Sequence, residues 1–420
     1  MDRTQKKKIF SWALYDWANS AYSTTVMAGF FPIFFKKYWS DGADAIVTTA
    51  RLGTVISVSS LIVALLSPTL GVVADLKGFK KLFCMLFTFV GVIACAWMGF
   101  IPMGDWWNAM LAYGIAMMAF NASSVFYDSL LPYVADGRQM DYASSLGYSM
   151  GYLGGGVLFL INVLMYLFPA SFGLPDGVVA IKISFVMVAV WWTVFSLPLA
   201  KNVPEPHVEA NSHNIWRLTQ ESLRTLKKTL KALIQEKNLA TFMIAYWLYI
   251  DGVYTVMTMA VDYGISIGFE AKDLIAALLI TQFIGFPCAY YFGTATKKWG
   301  TKKPILLCIL MYAIAVIAAT KMSQAWHFYL LATMIGMFQG GVQSLSRSMF
   351  GRMIRKEESG EYFGLFNLVG RFASILGPMV VAVGVTVTGS SRMGMMGLIF
   401  LFVAGGILLA LVKEPANHSA

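Results

Sequence analysis

Twelve stretches of the chain are apolar enough, and about long enough, to cross a lipid bilayer, and nothing constrains its fold more. They lie near residues 10–36, 50–74, 82–101, 106–131, 142–168, 178–200, 238–262, 272–293, 304–321, 326–349, 362–388 and 393–412. Roughly 20 apolar residues span the hydrocarbon core as a helix, and backbone groups in that core must be bonded within their own segment or within a closed barrel. Runs of this length predict helices, so the expected class is an all-α polytopic membrane protein. Charged residues make up 13% of the 420 positions, against about 25% in soluble proteins.

Basic residues orient the spans, because cytoplasmic loops retain Lys and Arg. With twelve spans and both termini inside, 24 of the 32 Lys and Arg fall on the cytoplasmic side, seven on the outer side, and Arg371 within a span. Topology thus accounts for the net charge of +10, and no nucleic-acid partner is needed. The basic start RTQKKK before an apolar run resembles a signal peptide, but Asp16 and Asn19 interrupt that run and no small-residue cleavage site follows, so a retained first helix is expected. Cys84, Cys95, Cys288 and Cys308 all fall in spans without CxxC spacing, and the four histidines are scattered. Neither disulfides, metal sites nor cofactors are implied.

Within the first span, YDWANSAY (Tyr15–Tyr22) places a carboxylate and an amide at membrane depth, which costs at least ~2.5 kcal/mol for the charge unless it faces a cavity or partner. Asp16, Asn19 and Ser23 share one helical face by their spacing. YIDGVY (Tyr249–Tyr254) partly echoes this motif. Residues 201–237 form a polar linker opening with NVPEPH, and Leu223, Leu226, Leu230 and Leu233 recur at helical spacing beside basic residues, as in an amphipathic helix on the inner leaflet. The linker divides an N-terminal six-helix half (1–200) from a C-terminal one (238–420). Internal offsets support two pseudo-symmetric halves: Gly71–Lys81 matches Gly293–Lys303 at 222, Asp128 aligns with Arg347 at 219, and Gly147 aligns with Gly364 at 217.

The loop GVVADLKGFKK resembles the signature between helices 2 and 3 of the major facilitator superfamily, with Gly71, Asp75, Gly78, Lys80 and Lys81 in its positions. An aspartate there can reach the positive N-terminus of a neighbouring helix. Lys297 stands at the Asp75 position of the second copy, so only the first loop is expected to make that contact. YDWANSAY, GYSMGYLGGG (Gly147–Gly156), the helix 7 aspartate-glycine and QGGVQSLSRS (Gln339–Ser348) more narrowly resemble the vacuole-effluxer-like family of major facilitators. The resemblance spans nearly the whole chain. It implies a secondary transporter working by alternating access, with amino acids or related metabolites as the favoured cargo, protons as a candidate coupling ion and the bacterial inner membrane as its place. An amphiphile such as a lysophospholipid is the alternative cargo, and a membrane enzyme or scaffold is a remoter alternative that lacks a catalytic constellation. The expected partners are a small-molecule substrate, protons and membrane lipids, with the chain acting as a monomer.

Resemblance further implies that helices 1, 4, 7 and 10 line a cavity. Their polar stripes are Asp16, Asn19 and Ser23, with Tyr22 a further pathway candidate; Asn121, Ser124 and Asp128; Asp251, Tyr254, Thr255, Thr258 and Asp262; and Gln339, Gln343 and Arg347. At a rise of about 1.5 Å per residue, Asp16, Asp128 and Arg347 reach comparable inner levels. The expectation is a cytoplasmic gate in which Asp128 and Asp16 pair with Arg347, beside Asp75, Lys80 and Lys81; in the competing arrangement each charge is satisfied within its own half. Asp251 lies near the midplane without a basic neighbour on its helix, which leaves proton carriage, substrate contact and structural pairing open. Arg371, sharing a face with Asn367 and Ser374, would receive an anionic group or pair with an inner acid. Gly147, Gly151 and Gly155 predict close helix packing.

Overall fold

The computed structural model describes residues 2–40, 42–206, 224, 227–229, 231–266, 271–322 and 324–415. Helix α1 (Arg3–Ala21) continues as one helical path to Trp39, with hydrogen bonding widened to π geometry over Tyr22–Phe30 and Phe35–Trp39. The first half goes on with α2 (Ala45–Lys77), α3 (Lys80–Met98), α4 (Trp106–Ser129), α5 (Arg138–Leu167) and α6 (Gly177–Asn202). The second contains α7 (Lys237–Ser266), α8 (Ala271–Trp299), α9 (Lys302–Ala319), α10 (Ala325–Met353), α11 (Ser359–Thr388) and α12 (Leu398–Leu411), the last preceded by the short helix Ser391–Met396. No strand occurs among the described residues.

Among the described residues, nine of the helices are long and apolar enough to cross a membrane; α1, α10 and α11 are outside that set, and α11 offers a shorter apolar stretch over Leu376–Thr388. For α10 the cause is chemical, since Gln339, Gln343, Ser344, Ser346, Arg347 and Ser348 are all buried. Polar groups are turned inward while large apolar side chains such as Leu65, Phe89, Val190, Leu310 and Phe400 are exposed. That inversion of the soluble pattern makes this an integral membrane protein. Most of the linker that was expected to carry an amphipathic helix, residues 207–223, lies outside the described residues.

The apolar cores divide by half. One cluster draws its buried residues from Leu239 to Val412, and two others draw theirs from Ile9 to Val203. Between the halves, α5 packs on α8 and α2 on α11: Ser149 Oγ donates to the Phe286 carbonyl at 2.8 Å, and a Cβ at Gly364 would lie 2.9 Å from the Pro68 backbone. Glycines also draw α1 onto α5. A Cβ would meet the Ser20 hydroxyl at 2.6 Å from Gly151, the Trp17 carbonyl at 2.6 Å from Gly154 and the Thr24 hydroxyl at 2.7 Å from Gly155. The expected small-residue packing is therefore real, and it presses the polar face of α1 against α5.

Candidate functional site

The end of the bundle that carries Lys80, Lys81, Lys302 and Arg352, here called the basic end, is closed by contacts between the halves. At their centre lies Arg347 of α10, 3% exposed. Its Nη1 donates to Asp128 Oδ1 at 2.9 Å, its Nη2 to Asp16 Oδ2 at 3.3 Å and to the Ser144 carbonyl at 3.0 Å, and its Nε to Ser144 Oγ at 2.8 Å. Tyr127 OH donates to Asp16 Oδ2 at 2.9 Å, and Asn367 Nδ2 to Asp128 Oδ2 at 3.2 Å. The guanidinium also lies near the rings of Trp12, Tyr127 and Tyr148, at 4.4–5.4 Å from their centroids, which suits a delocalised cation. Gly147 makes room for this group, because a Cβ there would stand 2.5 Å from Asp16 Oδ2 and 3.1 Å from Nη2. Asp128 and Arg347, matched by the internal offset of 219, are thus each other's partners. The expected pairing across the halves is the geometry observed.

Around this centre a second layer of bonds crosses the interface. Asp75 of α2 accepts from the backbone N–H groups of Gly360 and Glu361 at 2.9 and 2.8 Å, capping α11, and pairs with Lys80 at 2.5 Å. A carboxylate at a helix N-terminus satisfies otherwise unpaired donors and opposes the positive end of the dipole. Ser144 and Ser145 meet Ser344 at 2.7 and 3.0 Å, and Ser359 Oγ donates to the Ser129 carbonyl at 2.8 Å.

Lys80 and Lys81, placed beside the gate by the sequence, bond within the first half: Lys80 serves Asp75 and Tyr133, while Lys81 Nζ donates to the carbonyls of Ala200 and Val203, closing the end of α6. The second loop reaches the opposite half by a different contact. Thr301, which follows the left-handed Gly300 (φ 71°) as Phe79 follows Gly78 (φ 67°), donates its hydroxyl to Asp141 of α5 at 2.8 Å. Asp141 also accepts from Ser348 at 2.6 Å and pairs with Arg352 at 3.5 Å. The polarity is inverted: here the residue at the loop donates and the acid lies on the facing helix α5.

A further pair of carboxylates escaped the sequence reading. Glu205 accepts from the backbone N–H groups of Lys81 and Leu82 at 2.7 and 2.9 Å, and Glu414 accepts from Thr301 N at 2.6 Å. Each closes the start of the third helix of its half. Their shared signature, Val203-Pro-Glu-Pro206 and Val412-Lys-Glu-Pro415, was visible as a repeat at offset 209.

Asp251 is fully buried in α7. Its Oδ2 accepts from Leu376 N at 3.0 Å, and its Oδ1 accepts from Gly377 N at 2.8 Å and Thr255 Oγ1 at 3.3 Å. The two backbone donors belong to the interior of α11, just before Pro378, while Thr255 is on α7 itself, so the carboxylate staples α7 to α11. Tyr152 OH donates to Gln343 Oε1 at 3.2 Å, joining α5 to α10, and Gln339 is buried one turn away. Asn121 is buried, and its Nδ2 has no hydrogen-bond partner among the described residues, while Tyr254 is half-buried. Asn19 and Tyr22 are buried, and Tyr22 packs at 5.4–5.6 Å from Phe120 and Trp192 inside the first half. Tyr22 is a core residue where a pathway residue was expected. The side chains of Arg371 and Asp262 lie outside the described residues.

Residues 42–418 match the model of the family described as vacuole effluxer Atg22 like. The uncharacterized MFS-type transporter YxiO of Bacillus subtilis strain 168 is 36% identical over 97% of this chain and 95% of its own. Autophagy-related protein 22-2 of Aspergillus niger is 26% identical over 63% of this chain, a match spanning about half (49%) of the fungal protein's length. Among solved structures, the human organic anion transporter MFSD10 (TETRAN) superposes with a TM-score of 0.74 at 12% identity, covering 97% of this chain and all of that one. The proton:xylose symporter XylE gives a TM-score of 0.71 at 13% identity over 98% of this chain and 95% of its own. Identities this low speak for the fold alone: it is that of the major facilitator superfamily.

Proposed function

Since the chain belongs to the vacuole effluxer Atg22-like family and has the fold of major facilitator transporters, we propose that it is a secondary transporter of a small polar solute, with amino acids or related metabolites as the cargo class. It works as a monomer with twelve spans and both termini cytoplasmic, in a bacterial inner membrane. The basic end is then the cytoplasmic end. The observation that carries this reading is Arg347 of one half held by Asp16 and Asp128 of the other: a bond set of this kind must break for the halves to part, so it sets which side of a midplane site is closed. Asp75 on α11 and Asp141 under Thr301 and Arg352 reinforce the same closure. Asn121 on α4 and Gln339 and Gln343 on α10, further along the helices that carry Asp128 and Arg347, are assigned to the solute, together with Tyr254 of α7. Asp251 serves as the staple of α11. Polar stripes on four helices favour a polar solute over an amphiphile, which would ask for an apolar channel open to lipid.

A thermal-shift screen of the purified protein against amino acids, short peptides and lysophospholipids tests the cargo class, because a ligand bound by the folded state alone raises its apparent stability. Uptake of any stabilising amino acid into proteoliposomes should follow. Stabilisation and flux with lysophospholipids alone would reject the polar-solute reading.

A further inference from the structure

The linker that joins the halves has two chemically different faces. Its described positions next to the second half are 224, 227–229 and 231–236, helical up to Gln235 and leading directly into α7 at Lys237. Thr229 is 7% exposed, and its hydroxyl donates to the Glu361 carboxylate in the first turn of α11. Leu233 packs on the apolar core of the second half, and Glu236 lies within electrostatic range of Tyr362, the residue after Glu361. One face of the segment is thus seated on the start of α11, whose backbone N–H groups Asp75 caps.

The opposite face is basic. At the angular step of an α-helix, about 100° per residue, Arg224, Lys227, Lys228 and Lys231 fall within an arc of about 100°, while Thr229, Leu233 and Glu236 gather on the far side. All four cations are exposed. Next to them stands Ile234, 73% exposed, an apolar side chain that water disfavours and that the boundary between headgroups and hydrocarbon accepts. The span Lys237–Met259 begins immediately after the segment, so the cations lie where α7 leaves the bilayer. A cluster of four or more Lys and Arg at the end of a span, or on an amphipathic helix, complements the negative charge of anionic headgroups. Lysine stems can lie along apolar surface while their ammonium groups reach the phosphates.

We propose that the linker segment 224–236 is a docking surface for anionic phospholipids of the membrane that the chain itself spans, with Arg224, Lys227, Lys228 and Lys231 meeting the headgroup phosphates and Ile234 entering the layer beneath them. Thr229 and Leu233 hold the segment against the second half in advance, so little ordering is left to be done when lipid binds. A soluble acidic partner would attract the same cations, but Ile234 at the end of a span favours the bilayer surface. Seated there, the linker fastens the start of α11, and with it the site of the Asp75 cap, to the plane of the membrane. The surface stands whatever solute the protein moves.

A nitroxide label at Ile234→Cys tests this in the full-length protein carrying Cys288→Ser, the other native cysteines being buried. Its accessibility to oxygen, which partitions into lipid, and to a water-soluble nickel chelate is read in nanodiscs of phosphatidylcholine, with and without added phosphatidylglycerol. Phosphatidylglycerol should move the label from water into lipid, and high salt should reverse the move by screening the phosphates. Lys227→Gln, Lys228→Gln and Lys231→Gln should each lower the ratio of lipid-seated to hydrated label about fivefold. These positions are exposed, and a label at Phe400→Cys, 78% exposed on α12, should read lipid in every preparation if the variants are folded and inserted. A label at Ile234→Cys that stays in water with phosphatidylglycerol present, as it would if this face served a soluble partner, overturns the proposal. So does a label seated in lipid equally with and without phosphatidylglycerol, or one whose seating is indifferent to all three lysine changes.

Discussion

Replacing Arg347 by methionine keeps the length of the side chain and removes its charge and donors. Asp128 and Asp16 would lose their shared cation in a site where they are 8% and, at the side chain, 14% exposed. Were only hydrogen bonding lost, each bond would cost about 1 kcal/mol. Removing one member of a buried ion pair costs more, about 3–5 kcal/mol, because the other charge stays buried and uncompensated. For a chain of this size that corresponds to a fall of roughly 3–6 °C in the unfolding midpoint. Adding Asp128→Asn to Arg347→Met removes one stranded charge, so the double variant should be more stable than Arg347→Met alone, with a coupling energy of about 1–3 kcal/mol. The structure offers the single variant one escape: parting the halves lets the carboxylates hydrate. Oxidative cross-linking between Ser145→Cys and Ser344→Cys should therefore drop in the Arg347→Met background. A midpoint within about 1 °C of the parent with cross-linking unchanged, or losses that simply add in the double variant, would refute the reasoning that these charges are coupled.

Three other sites give independent checks. Gly377→Ala would set a Cβ 2.7 Å from Asp251 Oδ1 and hard against Thr255, costing about 1–3 kcal/mol by overpacking; a thermal melt should show the loss, and Thr255→Ala should restore part of it. Glu361, in the first turn of α11 ahead of its apolar stretch, is pushed up from 4.5 to about 7, chiefly by burial and further by Asp75 and Glu358. The folded chain thus holds that proton more tightly than the unfolded one, so stability should be greatest below the unfolded value, decline as pH rises through about 4.5 to 7 and level off above. The decline is at most about 3 kcal/mol, and melts of Glu361→Gln over the same range should lack it. Glu205→Ala and Glu414→Ala each remove the carboxylate that closes a helix start, at a cost of about 1 kcal/mol. Melts of the double variant should show the two costs adding, because the sites share no partner.

The gate was legible because its parts obey local rules. A carboxylate in an apolar helix demands a partner, its face follows from a period of 3.6, and its depth follows from the rise per residue. Asp16, Asp128 and Arg347 could thus be brought together across 331 positions without coordinates. Asp251 obeyed the same rules and still resolved differently, because its partners are the backbone N–H groups of Leu376 and Gly377. Every residue but proline carries such a donor, so no sequence pattern marks which helix will offer them. Tyr22 shows the converse limit: a tyrosine in such a motif can line a pathway or pack, and here it is fully buried against Phe120 of α4 and Trp192 of α6, neighbours that no local pattern names.

The loops show how a repeat can preserve a contact while exchanging its chemistry. Offset alignment sets Lys297 against Asp75, so the second loop lacks the carboxylate contact that the first makes with a helix start. Asp141 occupies the first turn of α5, where an acid is favoured by the helix dipole, and it takes its donors from Thr301, Ser348 and Arg352. In the first copy the acid is Asp75, in the last turn of α2, and the donors are the backbone of α11. Either arrangement satisfies the same demand, that a helix start buried at the interface meet groups of complementary charge. Asp141→Asn should therefore loosen the basic end as Asp75→Asn does, each cutting the Ser145→Cys to Ser344→Cys cross-linking yield. If only Asp75→Asn had that effect, the second loop would be a packing contact and the two halves would be functionally unequal.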